Sequence, residues 1–260
     1  MPYATLQLVY DSGIATLTLN RPEKRNAISF QLIDELMNAL AEVAQSNAGV
    51  MILTGAGKAF CSGMDLEDLR GLIGRSNEQN KKESETMAKM FRNIYEFPKP
   101  TIAAVNGAAL AGGTGLATLC DFTLAVPDAK FGYTEVKIGF IPAIVSSFLL
   151  RQLGEKQARD LLLTGRIVDA EDAQRLGLVN EVVEPEKLMQ HARDLATQLL
   201  QNSPASLSAT KRLLSGYAIP RLDAQLKAAV EENAAIRQTD DFREGLSSFL
   251  EKRRPNWTGK

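Results

Sequence analysis

The chain has one histidine, one tryptophan and two cysteines in 260 residues. A single histidine, His191, excludes histidine-rich metal centres and leaves a cysteine or serine nucleophile without an obvious base. Cys61 and Cys120 lack metal-type spacing and cannot form a disulfide framework, so a reducing cytoplasm is expected. Net charge is also lacking: 30 basic against 31 acidic residues give no electrostatic reason to expect a nucleic acid or an acidic lipid surface. No stretch approaches the ~18 uninterrupted apolar residues of a membrane span. The start, Met1-Pro2-Tyr3-Ala4-Thr5, has neither a basic nor an apolar leader segment, so an unexported protein is expected.

What is present is a globular composition, 45% hydrophobic, sufficient for one large domain with a substantial core. Leu6–Tyr10 and Ile14–Leu19 alternate across Asp11-Ser12-Gly13 and predict a β-hairpin. Ser29 caps a helix through about Ser46, with Leu32, Ile33, Leu36, Leu40 and Val43 at helical spacing. Strands are expected at Val50–Thr54, Thr101–Val105 and Phe122–Val126, with a helix between the last two, which gives an α/β layer architecture. Residues 65–82 read as a mobile surface segment ahead of a helix over Glu83–Glu96. Beyond residue 143 the pattern is helical: 143–153, 156–163, 169–176, 186–201, 205–214, 222–237 and 241–252, with one strand at Leu178–Val183. No internal repeat is visible, and the helical end suggests an oligomer.

Two glycine-containing segments follow apolar strands. Gly107-Ala108-Ala109-Leu110-Ala111-Gly112-Gly113-Thr114-Gly115 leads into a helix ending near Cys120, and Lys58-Ala59-Phe60-Cys61-Ser62-Gly63-Met64-Asp65 follows Met51–Leu53. Either alone is a tight turn; together they offer backbone N–H groups from two loops, the arrangement of an oxyanion hole. A dinucleotide turn fails because threonine stands at the third glycine position of Gly113-Thr114-Gly115-Leu116-Ala117-Thr118. A phosphate loop at Gly55-Ala56-Gly57-Lys58 fails because Ile52 and Ala59 replace its glycine and hydroxyl residues. Cys61 reads as a packed thiol. Glu135 lies in the apolar, glycine-containing run Phe131–Phe140, where it is either a proton carrier with a raised pKa or a first-turn glutamate favoured by the helix dipole or paired with Lys137.

Asn20-Arg21-Pro22-Glu23-Lys24-Arg25-Asn26-Ala27, Ala59–Leu66, Ala103–Asp121, Phe131–Pro142 and the tail with Arg243-Glu244-Gly245 and Glu251-Lys252-Arg253 resemble, in order, segments of the enoyl-CoA hydratase/isomerase (crotonase) superfamily. The resemblance implies a spiral of ββα units binding an acyl-CoA thioester. It implies a core over 1–200, and a helical oligomerisation region over 201–260 that forms a homotrimer or a dimer of trimers. By position, the Met64 and Gly112 N–H groups would be the oxyanion donors. Arg25 and Ala27, with backbone from Ala59 through Asp65 and Leu66, would lie along the CoA. Glu135 matches the family glutamate that exchanges a proton with substrate, whereas the other family glutamate falls on Gly115. Ile141-Pro142-Ala143-Ile144-Val145-Ser146 resembles a branch that includes proteins assigned as branched-chain enoyl-CoA hydratases and also lacks that glutamate. Hydration with a single glutamate is therefore the leading expectation, double-bond isomerisation the alternative, and non-catalytic thioester binding or scaffolding the reading from another class, with RNA binding disfavoured by the balanced charge. No metal and no cofactor beyond the substrate's own CoA are expected.

Overall fold

A computed structural model describes residues 3–260. Strands β1 (Leu6–Asp11) and β2 (Ile14–Leu19) form the expected hairpin, in register from Leu6 opposite Leu19 to Asp11 opposite Ile14. Ser12 and Gly13 both take positive φ, 51° and 80°, as a two-residue turn matched to strand twist requires. Helix α1 (Phe30–Gln45) starts at Ser29, whose side chain accepts from the Leu32 N–H, and buries Leu32, Ile33, Leu36, Leu40 and Val43.

The chain then repeats one unit: a long strand, a short strand, a helical return. The first has β3 (Val50–Gly55), β4 (Ala59–Cys61), α2 (Leu66–Arg70) and α3 (Asn77–Tyr95); the second has β5 (Thr101–Val105), β6 (Ala108–Leu110) and α4 (Gly112–Thr118). The third has β7 (Phe122–Ala125), β8 (Lys130–Gly132), α5 (Ala143–Gln152) and α6 (Glu155–Thr164). After β9 (Val168–Asp169), α7 (Ala170–Leu176) and β10 (Glu181–Val182) come α8 (Leu188–Leu200), α9 (Pro204–Ile236) and α10 (Asp240–Leu250). The long strands build a six-stranded sheet, β1-β2-β3-β5-β7-β10, parallel except for the hairpin, and the short ones a second sheet, β4-β6-β8-β9. This is the ββα spiral. Both faces of the parallel strands are covered, so β5 is buried at every residue, and its sequence reads as a short apolar run without alternation.

Several expectations change. Residues 65–82 are largely helical: α2 is capped by Asp65, and α3 begins at Asn77 behind a reciprocal capping box between Ser76 and Gln79. The first turns of α3 bury Asn80 and Ser84, so its inward face carries no apolar signal there. The helices expected over 205–214 and 222–237 are one 33-residue helix running through Pro220. A proline within a helix removes a hydrogen bond and costs about 3 kcal/mol. Packing of α9 on α3 and α5 offsets this, and Arg151 of α5 brackets the proline by donating to the Ala218 carbonyl and to Gln225 Oε1. The strand expected over 178–183 pairs only at Glu181–Val182. The glycine-containing run after β5 forms β6 before its helix begins.

The second half of α9 joins the main core through Leu222, Leu226, Ala229 and Val230, while Leu213, Leu214 and Tyr217 of its first half are exposed. Phe242 and Leu246 of α10 pack with Leu69 and Leu72 beside α2. Among the described residues no helix is long and apolar enough to cross a membrane.

Candidate active site

A cavity of about 150 Å³ lies where the ends of β4 and β6, the turn after β8 and helices α3, α5 and α9 meet. Met64, Gly112 and Glu135 all line it.

The Met64 N–H is free for a backbone reason. Ile28 forms an isolated parallel bridge with Met64, its N–H donating to the Gly63 carbonyl at 2.7 Å and its carbonyl accepting from Asp65 N–H at 2.9 Å. In such a bridge the bracketed residue points its own N–H and C=O the other way. Gly63 makes the bend with φ of +91°, and a Cβ there would lie 3.0 Å from the Ala111 Cβ, so the two loops touch.

Gly112 opens α4, and the first N–H groups of a helix have no partner inside it. Among the described residues neither the Gly112 nor the Met64 N–H donates to a protein acceptor. The preceding Ala111 takes φ 50° and ψ −124°, a conformation suited to glycine, and is held there by donating to the Gly132 carbonyl at 2.7 Å. Its geometry orients the peptide plane that carries the Gly112 N–H. No sequence signal marks the strain, because alanine is the least informative residue for backbone geometry. With only seven residues in α4, these two local N–H groups matter more than a helix dipole.

Glu135 begins a 3-10 turn, Glu135–Ile138, closed when the Phe140 N–H donates to the Glu135 carbonyl at 3.1 Å. Helix α10 packs against the turn, its Gly245 meeting the backbone of Ile138 so closely that a side chain there has no room. Glu135 is 8% exposed, and among the described residues its Oε2 has no hydrogen-bond partner. Burial pushes its carboxyl up from 4.5 to about 7. Lys137 points into solvent and makes no ion pair with it, so the salt-bridged alternative does not hold. The carboxyl can hold or release a proton near neutral pH beside two free N–H donors.

The remaining sequence-derived positions stand close by in different ways. Leu66 lines the cavity itself. Arg25 is exposed, in a left-handed conformation with φ 50°, and its carbonyl accepts from the Ser62 N–H at 3.1 Å. Ala27 and Ala59 are buried, and Asn26, wholly buried between them, donates to the Ala56 and Ala59 carbonyls at 2.9 and 2.7 Å. Asp65 is paired with Arg21 at 2.8 Å and caps α2 through the Glu67 N–H. Arg21 also donates to the Ala27 carbonyl at 2.9 Å, so Arg21 and Asn26 stitch the 21–28 loop to the 56–65 loop. Cys61 is fully buried, and desolvation pushes its thiol up to about 12, which leaves no thiolate to act as nucleophile. His191 pairs with Glu181 at 3.0 Å on the surface.

Gly115 has no room for a side chain: a Cβ would stand 2.7 Å from Val145 Cγ1 and 3.0 Å from Phe91 Cε1. Both of those residues line the cavity, where sequence reading had not placed them. Asn233 of α9 also reaches it.

The family model described as enoyl-CoA hydratase/isomerase matches residues 10–260. A protein of Thermus thermophilus provisionally named an enoyl-CoA hydratase is 44% identical, with 94% of this chain and 97% of that protein covered. The crotonyl-CoA hydratase of Syntrophomonas wolfei is 34% identical over the full length of both chains, 100% of each. The crystal structure of an enoyl-CoA hydratase from Mycobacterium avium superimposes with a TM-score of 0.87 at 34% identity, covering 98% of this chain and 99% of that one. The free N–H groups at Met64 and Gly112, the buried Glu135 and the ββα spiral thus occur in a chain that belongs to the enoyl-CoA hydratase/isomerase family.

Proposed function

We propose that the protein hydrates a 2-enoyl-CoA thioester with one carboxylate. The observation that carries this reading is Glu135 itself, buried with an unpartnered Oε2 in the cavity that Met64 and Gly112 also line. The ionised carboxylate takes a proton from water as the water oxygen bonds to C3. The electron pair of the C2=C3 bond moves toward the thioester oxygen, where the Met64 and Gly112 N–H groups hold the enolate charge. Glu135 then returns the proton to C2, which completes the addition of water. Electrostatic stabilisation by one such donor is worth about 3–4 kcal/mol, comparable with the contribution of the acid/base group.

Gly115 favours a second reading. With its side-chain space taken by Val145 and Phe91, no second carboxylate stands there to position water, and a single glutamate suffices to carry a proton between C2 and C4 of an enolate, which is isomerisation. Mass spectrometry after incubating 2-enoyl- and 3-enoyl-CoA panels in heavy-oxygen water separates the readings. Label at C3 supports hydration, a shifted double bond without label supports isomerisation, and no turnover of any thioester leaves a binding role.

A homotrimer or dimer of trimers is part of the same proposal, supported by the exposed Leu213, Leu214 and Tyr217 on α9. A cytoplasmic setting fits two buried free thiols. The substrate brings its own CoA, and the proton transfers described use no further cofactor.

A further inference from the structure

Besides Ser62, Thr134 and Glu135, a polar side chain reaches the cavity from a long way along the chain. Asn233, on α9, is 4% exposed and lines the cavity. Its Oδ1 accepts from Ser84 Oγ at 2.8 Å and from Arg237 Nη2 at 2.6 Å. A guanidinium can only donate, so the amide orientation is dictated: Oδ1 faces Arg237, and Nδ2 is the group left over. Among the described residues Nδ2 has no protein partner. Behind it the polarity continues. Arg237 forms a buried ion pair with Glu83, and neither amide atom of the wholly buried Asn80 has a partner among the described residues. Unpartnered buried polar groups cost stability, and a cavity meant only for hydrocarbon would be cheaper to line with leucine.

We infer that the cavity takes an acyl group carrying a neutral hydrogen-bond acceptor, a carbonyl, ether or hydroxyl oxygen, toward its far end, and that Asn233 Nδ2 donates to it. The acceptor is neutral because the Arg237–Glu83 pair is balanced, and the lining is mostly apolar, including Leu69, Met87 and Phe140. A carboxylate entering there would lose its hydration, and the guanidinium that faces Asn233 is already paired with Glu83. Ser84 and Arg237 are positioning residues: they fix the amide and do not reach the substrate's acceptor themselves. The inference rests on the reading of this cavity as an acyl-CoA site.

The test uses binding, so that it does not depend on the reaction. Dissociation constants are measured by calorimetry for saturated acyl-CoA thioesters of increasing chain length, each with and without an oxo group on the penultimate carbon. At the length that reaches Asn233, the oxo thioester is expected to bind about tenfold more tightly, the scale of one buried hydrogen bond. Asn233→Asp keeps an oxygen toward Ser84 and Arg237 but presents an acceptor in place of Nδ2, and should abolish the preference while the plain thioester still binds. Asn233→Leu should do the same if it folds. No oxo preference at any length, or a preference that survives Asn233→Asp, overturns the inference. Tighter binding of an ω-carboxylate than of the oxo thioester overturns the neutral acceptor. Failure of every thioester to bind overturns this inference and the acyl-CoA reading together, whereas binding without turnover overturns only the proposed reaction.

Discussion

The side chain of Val145 occupies the space that any side chain at Gly115 would need: a Cβ built on Gly115 lies 2.7 Å from Val145 Cγ1. The site is therefore packed around one carboxylate, not merely missing another. Gly115→Glu is expected to lose about 1–3 kcal/mol of stability through overpacking and to show no gain in hydration of a short 2-enoyl-CoA. Urea denaturation and the hydration assay check both, and a large gain in hydration at parent stability would show a degraded two-carboxylate site.

Glu135→Gln keeps shape and hydrogen-bonding capacity but removes acid/base function. Turnover should fall ~10²-fold or more, with thioester affinity largely retained. Near-normal turnover would place the base elsewhere.

The raised pKa of Glu135 also predicts two pH profiles. As a base it acts ionised, so kcat/KM of the parent should rise with pH to a plateau above about 7. For stability the sign is opposite. Below about 4.5 both folded and unfolded states hold the proton and the contribution is fully present; as pH rises through about 7 it is lost, because the unfolded chain releases the proton first. The gap between those values corresponds to about 3 kcal/mol, so the parent should weaken by that order relative to Glu135→Gln between pH 4.5 and 8. Parallel stability profiles for the two proteins would show that Glu135 is not held protonated by burial.

Gly112→Pro deletes the donor N–H at the first position of α4, where a helix tolerates proline, although Ala111 at φ 50° is a poor residue to precede one. Turnover per folded molecule, with the folded fraction taken from a thermal melt, should fall about 10²–10³-fold. A Cβ at the same position would meet Ile28 Cδ1 at 3.1 Å, so Gly112→Ala should be milder, needing only a small shift of a side-chain end. Parent-like turnover by the folded proline variant would remove Gly112 from the oxyanion site.

Ala111→Gly relieves a strained backbone. The conformation costs on the order of 1–3 kcal/mol for a residue with a Cβ, against about 0.5–1 kcal/mol of added chain entropy for glycine. A net gain of about 1 kcal/mol is expected in denaturation, with turnover unchanged. A destabilised variant would mean that the loop holds alanine without strain.

Local chemistry made much of this protein legible from its residues. Ser12-Gly13 supplies the positive φ of the hairpin turn, Ser29 and the spacing of Leu32 to Val43 define α1, and the short apolar runs at β3 and β5 announce buried parallel strands. Glu135 stood out because a carboxylate among apolar residues needs a reason. The rest depended on contacts distant in sequence. Strands β4, β6 and β8 have three residues each, too few to leave a period. Asn80 and Ser84, polar yet buried, disguise the start of α3, Ser84 Oγ lying within hydrogen-bond distance of the Asn80 carbonyl and of Asn233 on α9, and α9 continues through Pro220 because α3 and α5 hold it. The proton affinity of Glu135 is set by its burial in the assembled cavity, and the fate of Gly115 by Val145 and Phe91. A sequence specifies what each residue prefers locally; which groups lose water, and which side chain fills a given space, is decided only when segments remote in the chain are packed together.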